Sequence, residues 1–145
     1  MNALLTDPTM RLFALCAAVL VVKMLATANL TGILRTVRKV YATPEDYQFF
    51  GQEPVPTPDE QIERSRRAHL NDLENILPFL AIGFLYALTG PSYTMAWWLF
   101  VLFTVARLAH TAVYIAGLQP WRTIVFGVGQ IALYVMTLTV LVRLL

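Results

Sequence analysis

The sequence predicts an all-helical protein embedded in a lipid bilayer, and two observations carry that prediction. Of its 145 residues, 57% are hydrophobic and only 14% are charged, and the mean hydropathy is +0.59. Soluble domains contain roughly 25% charged residues, so this chain has too few polar residues to cover a soluble domain. The second observation is that four apolar segments are each long enough to cross about 30 Å of hydrocarbon as a helix.

The four segments predict helices over about residues 10–38, 59–88, 93–116 and 121–145. We expect them to form one integral membrane domain over residues 1–145, folded as a four-helix bundle with four spans. The first segment is interpreted as a retained helix. Its apolar stretch is longer than the core of a signal peptide, and no small-residue cleavage site follows it.

Turn and capping residues separate the predicted helices. Asp59 is a predicted N-cap for the second helix, and the Thr89-Gly90-Pro91-Ser92 cluster ends that helix. About thirty residues at 1.5 Å per residue give roughly 45 Å. The second helix is therefore expected to project from the bilayer as well as cross it. Gly117 to Pro120 divide the third helix from the fourth.

The distribution of basic residues predicts an orientation in the membrane. Seven lie in or beside the first and third connections, and two lie at the opposite end of the bundle. The seven are Arg35, Arg38, Lys39, Arg64, Arg66, Arg67 and Arg122, and the two are Arg11 and Arg143. The positive-inside rule then places both termini in the lumen or periplasm and the basic end towards the cytoplasm. The compact loops favour a bacterial inner membrane over the endoplasmic reticulum.

Charge and cysteine content exclude several classes of protein. Eleven basic and nine acidic residues give a net charge of +2, which predicts no nucleic-acid partner. The single cysteine, Cys16, cannot form an internal disulfide, a CxxC motif or a multi-cysteine metal site. We therefore expect no metal cofactor.

Polar residues within the third helix mark a possible site. Arg107, His110 and Tyr114 are spaced i, i+3, i+7, so they share one face. Ionisable residues inside a membrane span are costly and are functional by default. The spacing alone leaves two interpretations equally open. Arg107 either pairs with an acid on a neighbouring helix and holds the bundle together, or it belongs to a binding site.

The second helix shifts the balance towards a binding site. Four of its residues share a face: Arg67, Asn71, Glu74 and Pro78. Pro78 lacks an N–H, so the carbonyl of Glu74 loses its helical partner, while His69 and Asp72 lie off this face. Arginines near the start of the fourth helix and on this face favour an anionic ligand, because guanidinium forks match carboxylates. Arg64 alone is equally well explained as a solvated or headgroup-facing residue. The pattern predicts a small zwitterionic, multiply carboxylated ligand held near the cytoplasmic face.

The second-helix sequence from Glu63 to Ile76, ERSRRAHLNDLENI, followed by Pro78-Phe79-Leu80, resembles the signature of the MAPEG superfamily. These are membrane-associated proteins of eicosanoid and glutathione metabolism. The form RRAHLNDLEN looks most like the microsomal glutathione transferase type one branch, with microsomal prostaglandin E synthase a close sibling. The agreement extends to Tyr41-Ala42-Thr43-Pro44-Glu45-Asp46, Ala106-Arg107, His110-Thr111, Tyr114 and Arg122.

The resemblance implies a homotrimer with three glutathione sites at the subunit interfaces and glutathione as co-substrate. Carried over by matching motif, the glutathione contacts are Arg35, Arg66, Arg67, His69, Asn71, Glu74, His110, Tyr114, Arg122 and Thr123. Arg122 is the implied catalytic arginine, and Asp46 and Gln130 are possible accessory residues. A guanidinium beside the glutathione sulfur would favour the nucleophilic thiolate, and helix N-terminal amides beside Arg122 and Thr123 are expected to act in the same direction. Arg107 and Asp72 are assigned to structural ion pairs.

Departures from the family pattern favour a general transferase. The prostaglandin synthase has an arginine where this chain has Leu70, a tyrosine where it has Phe126, and a serine where it has Thr123. Mammalian type one transferases carry a reactive thiol where this chain has Tyr47. Activation by thiol alkylation should therefore be absent.

The favoured function is conjugation of glutathione to hydrophobic electrophiles that arrive from the membrane lipid, together with reduction of lipid hydroperoxides. One alternative is a glutathione-dependent, prostaglandin E synthase-like isomerase, in which Asp46 has been proposed to take part. Another is a non-catalytic lipid-binding scaffold. An ion or proton path along Arg107 and His110 has no second acidic relay and is disfavoured.

Overall fold

A computed structural model describes residues 6–57 and 59–145, so Pro58 and the first five residues of the predicted 1–145 domain lie outside the described residues. Five helices follow in order: α1 Pro8–Arg38, α2 Pro44–Phe49, α3 Glu60–Leu88, α4 Tyr93–Ile115 and α5 Trp121–Leu144. The described ranges contain no β-strand. The all-helical fold class is therefore confirmed. The four long helices lie where apolar segments were predicted, and the short α2 was not predicted.

The helix boundaries follow from caps at each end. The Asp7 carboxylate accepts a hydrogen bond from the Met10 backbone N–H at 2.7 Å, so α1 begins two residues earlier than predicted. Asp59 caps α3 as predicted, and it accepts from the backbone N–H groups of Gln61 and Ile62. Gly90 follows the end of α3 with a φ of +66°, a conformation that favours glycine.

The long helices pack through an aromatic core. α1 contacts α3 and α4, and α5 contacts the same two helices from its side. The Phe79 and Phe103 rings stack with centroids 4.3 Å apart, and Phe13 of α1 lies 5.6 Å from Phe100 of α4. A Cβ added at Gly83 would lie only 2.9 Å from Cε2 of Phe13. The absence of a side chain at this position therefore lets α1 and α3 approach closely.

Among the described residues, three helices have the length and composition of membrane spans: α1, α4 and α5. Large apolar side chains are exposed along their outer surfaces, including Leu15, Val22, Ile131 and Val142. Exposed apolar area on this scale is unusual for a soluble monomer, and a bilayer would cover it. By these criteria α3 is not among the candidate spans, so the fourth predicted span stays a prediction.

Candidate functional site

A cavity of about 450 Å³ opens where the start of α3, the end of α4 and the start of α5 meet. Its lining consists of Glu60, Glu63, Arg64, Arg67, Tyr114, Gly117 and Arg122. Three of the residues predicted to bind ligand, Arg67, Tyr114 and Arg122, therefore meet in one cavity. The volume lies within the range of small-molecule sites, which is roughly 300–1,000 Å³.

Arg122 lies over the aromatic ring of Tyr114. Its Cζ is 4.9 Å from the ring centroid, within the distance of a cation–π contact. Both side chains are only partly buried, so the guanidinium remains accessible from the cavity. This contact gives the predicted catalytic arginine a defined position on the first turn of α5.

The backbone amides beside Arg122 have hydrogen-bond partners in the turn that precedes α5. The Arg122 N–H donates to the carbonyl of Leu118 at 3.2 Å, and the Thr123 N–H donates to the carbonyl of Pro120 at 3.0 Å. The Gln119 amide nitrogen donates to the Thr123 hydroxyl at 3.3 Å, and the Gln119 amide oxygen accepts from Nε and Nη2 of Arg122 at 3.0 Å and 2.7 Å. Because these amides already have partners in the turn, the charged group available to an anion at this position is the Arg122 guanidinium, which also donates to Gln119.

A buried polar cluster lies deeper in the bundle. The Asp72 carboxylate accepts a hydrogen bond from Lys23 of α1 and lies 3.6 Å from Nη2 of Arg107. Arg107 also donates to the Asn71 side-chain oxygen, and His110 Nδ1 is 3.4 Å from the same Nη2. Asp72, Arg107 and His110 are 0%, 1% and 2% exposed. The structure therefore brings Asp72 and Arg107 together inside one chain.

Lys23 is the member of this cluster that sequence reasoning missed. In the sequence it is only an interruption in an apolar helix. A lone lysine at the centre of a span needs a partner, and the structure supplies Asp72. The charge inside an apolar span was the signal that could have marked Lys23, although it does not identify the partner.

The buried cluster reaches the cavity through His110. Its ring centroid is 5.6 Å from that of Tyr114, and Tyr114 in turn lies under Arg122. The predicted face of Arg107, His110 and Tyr114 is therefore continuous from the core to the Arg122 cavity.

The predicted polar face of α3 is divided in the structure. Asn71 points inward to Arg107, Arg67 lines the cavity, and Glu74 is exposed on the outside of the chain. Within one chain these residues therefore do not share one surface, and a ligand site that joins them between subunits stays a prediction. Residues three and four apart differ by about 60° and 40° around a helix, which is enough to separate neighbours at the edge of a packed face.

Two further predicted residues also lie on the outer side of α3. Arg66 is exposed and pairs with Glu63, with 2.8 Å between Nη2 and Oε2, and His69 is half-buried. Leu70 and Leu77 are exposed on the same side. This outer face of α3 does not meet the Arg122 cavity within one chain.

Arg35 lies apart from Arg122. It borders a second hollow of about 300 Å³ under the first loop, together with Tyr41, Tyr47 and Glu63. Glu63 borders both hollows, which makes it the residue that connects them.

The two accessory residues have structural partners. Asp46 closes a capping box at the start of α2, where its carboxylate accepts from the Thr43 N–H at 3.3 Å. Gln130 of α5 donates to the side-chain oxygen of Asn75, a buried residue of α3 that was not predicted. No group of three or more His, Cys, Asp or Glu residues that could hold a metal ion is found within residues 6–57 and 59–145.

The fold and the site together define a class. Apolar helices of bilayer length pack around a buried ionic cluster, and an arginine-lined cavity opens at one end, so the chain is an all-helical membrane protein with a polar cavity. Its family is also clear: residues 13–142 match the model of the MAPEG family, and the chain belongs to that family.

The relatives carry two different enzyme names. The chain is 42% identical over 150 residues to human microsomal glutathione S-transferase 1, covering all of this chain and 94% of the relative. It is similarly 42% identical to the protein of that name from Sus scrofa. It is 38% identical over 141 residues to human prostaglandin E synthase, covering 97% of this chain and 93% of the relative.

Proposed function

We propose that this protein is a glutathione transferase that joins glutathione to hydrophobic electrophiles. The observation that carries the proposal is the cavity in which Arg122 lies over Tyr114 with Arg67 beside it. The relatives named microsomal glutathione S-transferase 1 support it, because they match the whole length of this chain.

In the proposed mechanism Arg122 stabilises the glutathione thiolate. A free thiol has a pKa of about 8.5 and is mostly protonated at neutral pH, whereas the thiolate is the nucleophile. A guanidinium beside the sulfur favours the anion. The sulfur lone pair then forms a bond to the electrophilic carbon, and the leaving group departs with its electron pair. The protein supplies positioning and charge stabilisation.

We further propose reduction of lipid hydroperoxides by the same thiolate. Its sulfur attacks the terminal peroxide oxygen, the O–O bond breaks, and an alcohol leaves after taking up a proton. The attacking sulfur keeps that oxygen as a sulfenic acid. The thiol of a second glutathione then attacks the sulfenic sulfur, the S–O bond breaks, and oxidised glutathione forms with release of water. Apolar substrates of both kinds are proposed to arrive from the membrane lipid.

The outer face of α3 supports a homotrimer. Glu74 is exposed halfway along α3, and a carboxylate facing hydrocarbon is costly. If a neighbouring protomer covers this face, then Arg66, His69 and Glu74 lie between the two chains. There they can contribute to a site shared by both protomers, as the resemblance implies. The number three is taken from the family resemblance.

The proposed topology has four spans, with α3 as the fourth, both termini in the lumen or periplasm, and the Arg122 cavity towards the cytoplasm. The basic residues at the cavity end support this orientation. We favour the bacterial inner membrane because the connections are short.

A prostaglandin E synthase-like isomerase is the second candidate, supported by the 38% identity to the human synthase. Leu70 and Phe126 stand where the family pattern of that enzyme has an arginine and a tyrosine, which favours the transferase. Thiol alkylation should not activate this protein, because Tyr47 occupies the reactive-thiol position and Cys16 is buried.

The experiment uses detergent-purified protein with glutathione and three acceptors: an activated aryl halide, a lipid hydroperoxide and a prostaglandin endoperoxide. Turnover of the aryl halide supports the transferase. Glutathione binding with isomerisation of the endoperoxide and no conjugation would assign the isomerase instead. Binding of lipid with no turnover of any acceptor would support the non-catalytic lipid-binding scaffold instead. Treatment with a maleimide before the assay should leave the conjugation rate unchanged, and a large increase would contradict the Tyr47 argument.

A further inference from the structure

Arg64 lies inside the candidate cavity, although the sequence leaves its role open. It lines the cavity together with Arg67 and Arg122. Glu60 lies one helical turn before Arg64, and its Oε1 accepts hydrogen bonds from Nε of Arg64, at 3.0 Å, and from Nη2 of Arg64. The Glu60 side chain is 77% exposed. Ion pairs this exposed contribute little to stability, so another carboxylate can replace Glu60 at small cost.

The Arg64 guanidinium lies beside Gly117. This glycine follows α4 with a φ of +70°. A Cβ built on it would lie 3.0 Å from Cζ and 3.3 Å from Nη2 of Arg64, and nearer still to Nη1. The guanidinium therefore occupies the space that a side chain at residue 117 would fill. Gly117 follows Tyr114 by three residues, and the Arg64 guanidinium lies in the same cavity as Tyr114 and Arg122.

Three arginines and two glutamates line the cavity, so positive side chains outnumber negative ones. Glu60 is paired with Arg64, and Glu63 is paired with Arg66. Within the described part of the chain, no carboxylate lies within ion-pair distance of Arg67 or Arg122. Three guanidiniums facing one space, two of them without a counter-ion, fit a ligand with more than one anionic group.

We propose that Arg64, held against Gly117, binds a carboxylate of glutathione, and that Glu60 is the partner it exchanges for that carboxylate. This inference rests on the proposed glutathione-dependent function and adds a binding residue to it. Gly117 acts as a positioning residue, because its missing side chain leaves room for the guanidinium.

The first test measures glutathione binding to the intact detergent-purified protein and to its Arg64→Gln variant. Loss of a charge-assisted pair of this kind is expected to raise the Kd about tenfold or more. Arg38→Gln is the matched control, since Arg38 pairs with Asp59 and Gln61 outside the cavity. Its Kd should equal that of the wild type.

Two glutathione analogues show whether the lost contact is to a carboxylate. Glutathione monoethyl ester lacks the free glycyl carboxylate, and cysteinylglycine lacks the γ-glutamyl carboxylate. The analogue without the group that Arg64 binds should bind wild type and Arg64→Gln equally well. An equal loss for glutathione and both analogues, or no loss for any of them, would overturn the proposal.

The second test compares two glycines with the same backbone strain. Gly117→Ala and Gly90→Ala both place a side chain at positive φ, but a Cβ at Gly90 meets nothing within 4 Å. Gly117→Ala should raise the glutathione Kd towards that of Arg64→Gln and add little in that background, while Gly90→Ala should leave the Kd unchanged. Equal behaviour of the two alanine variants would contradict the positioning role.

The outcomes separate this inference from the proposed function. A wild-type protein that binds no glutathione removes the proposed function itself. A wild type that binds glutathione, with an Arg64→Gln variant that binds it equally well, removes only the role of Arg64. Arg64 is partly exposed, so Arg64→Gln is expected to fold even where Gly117→Ala does not.

Discussion

Removal of the Asp72 carboxylate is the perturbation that most directly tests the buried polar cluster. Asp72 is the anion shared by two buried cations, Lys23 and Arg107. Asp72→Ala leaves both without that partner inside the bundle. Breaking a buried ion pair by deleting one member costs about 3–5 kcal/mol, and we expect Asp72→Ala to fall in that range.

The geometry also predicts an order among variants. From the sequence, Arg107→Ala would leave a buried acid unpaired and cost about 3–5 kcal/mol. In the structure that acid keeps its hydrogen bond from Lys23, so Arg107→Ala is expected to cost less than Asp72→Ala. A neutral triple variant, Lys23→Met with Asp72→Asn and Arg107→Met, should recover much of the loss, because apolar replacement of a whole buried ionic group is often close to neutral.

The assay is thermal unfolding in one detergent, followed by the loss of helical circular dichroism. A cost of 3–5 kcal/mol corresponds to a fall in Tm of roughly 10–16 °C for a chain of this length. Asp72→Ala should unfold first, then Arg107→Ala, with the triple variant nearer the wild type. An Asp72→Ala variant as stable as the wild type, or less affected than Arg107→Ala, would refute this account of the cluster.

Two further comparisons between variants test packing and pH dependence. Gly83→Ala places a Cβ 2.9 Å from the buried Phe13 ring, so overpacking is expected to cost about 1–3 kcal/mol in thermal unfolding. Gly32→Ala, which meets nothing within 4 Å, should not destabilise, and equal effects of the two would contradict the close approach of α1 and α3. The Arg38 guanidinium holds the pKa of the Asp59 carboxyl below its usual value. The stability this gives is present above the unfolded-state pKa of about 3.9 and is lost as pH falls through the lower folded-state pKa. Arg38→Gln should therefore show a smaller loss of Tm on acidification through that window, and identical profiles would contradict the pairing.

The long helices could be predicted because a bilayer requires long apolar segments, and such segments are visible in any sequence. The residues at which the helices end were harder to predict from the sequence. α1 begins at Pro8 because Asp7 caps it, a local signal that lies outside the apolar stretch. α2 was missed because six residues in a polar loop have no periodicity to detect. The Thr43–Asp46 capping box was the available clue.

The site was partly predictable for a different reason. The meeting of Arg67, Tyr114 and Arg122 was implied by family resemblance, and the structure places them in one cavity. The partner of Lys23 could not be read from spacing, because periodicity describes one helix and the pairing joins two. The outward position of Glu74 shows the same limit, since helical spacing does not say which neighbour covers a face.

The most direct test of the central claim is whether Arg122 stabilises the thiolate of bound glutathione. The ultraviolet absorbance of the thiolate is measured during a pH titration of glutathione bound to the wild type and to Arg122→Ala, with the rate of aryl-halide conjugation recorded on the same samples. We predict that both proteins bind glutathione. Arg122→Ala should form thiolate only at higher pH and should react at a small fraction of the wild-type rate. A variant that forms thiolate at the same pH and conjugates as fast as the wild type would contradict the account.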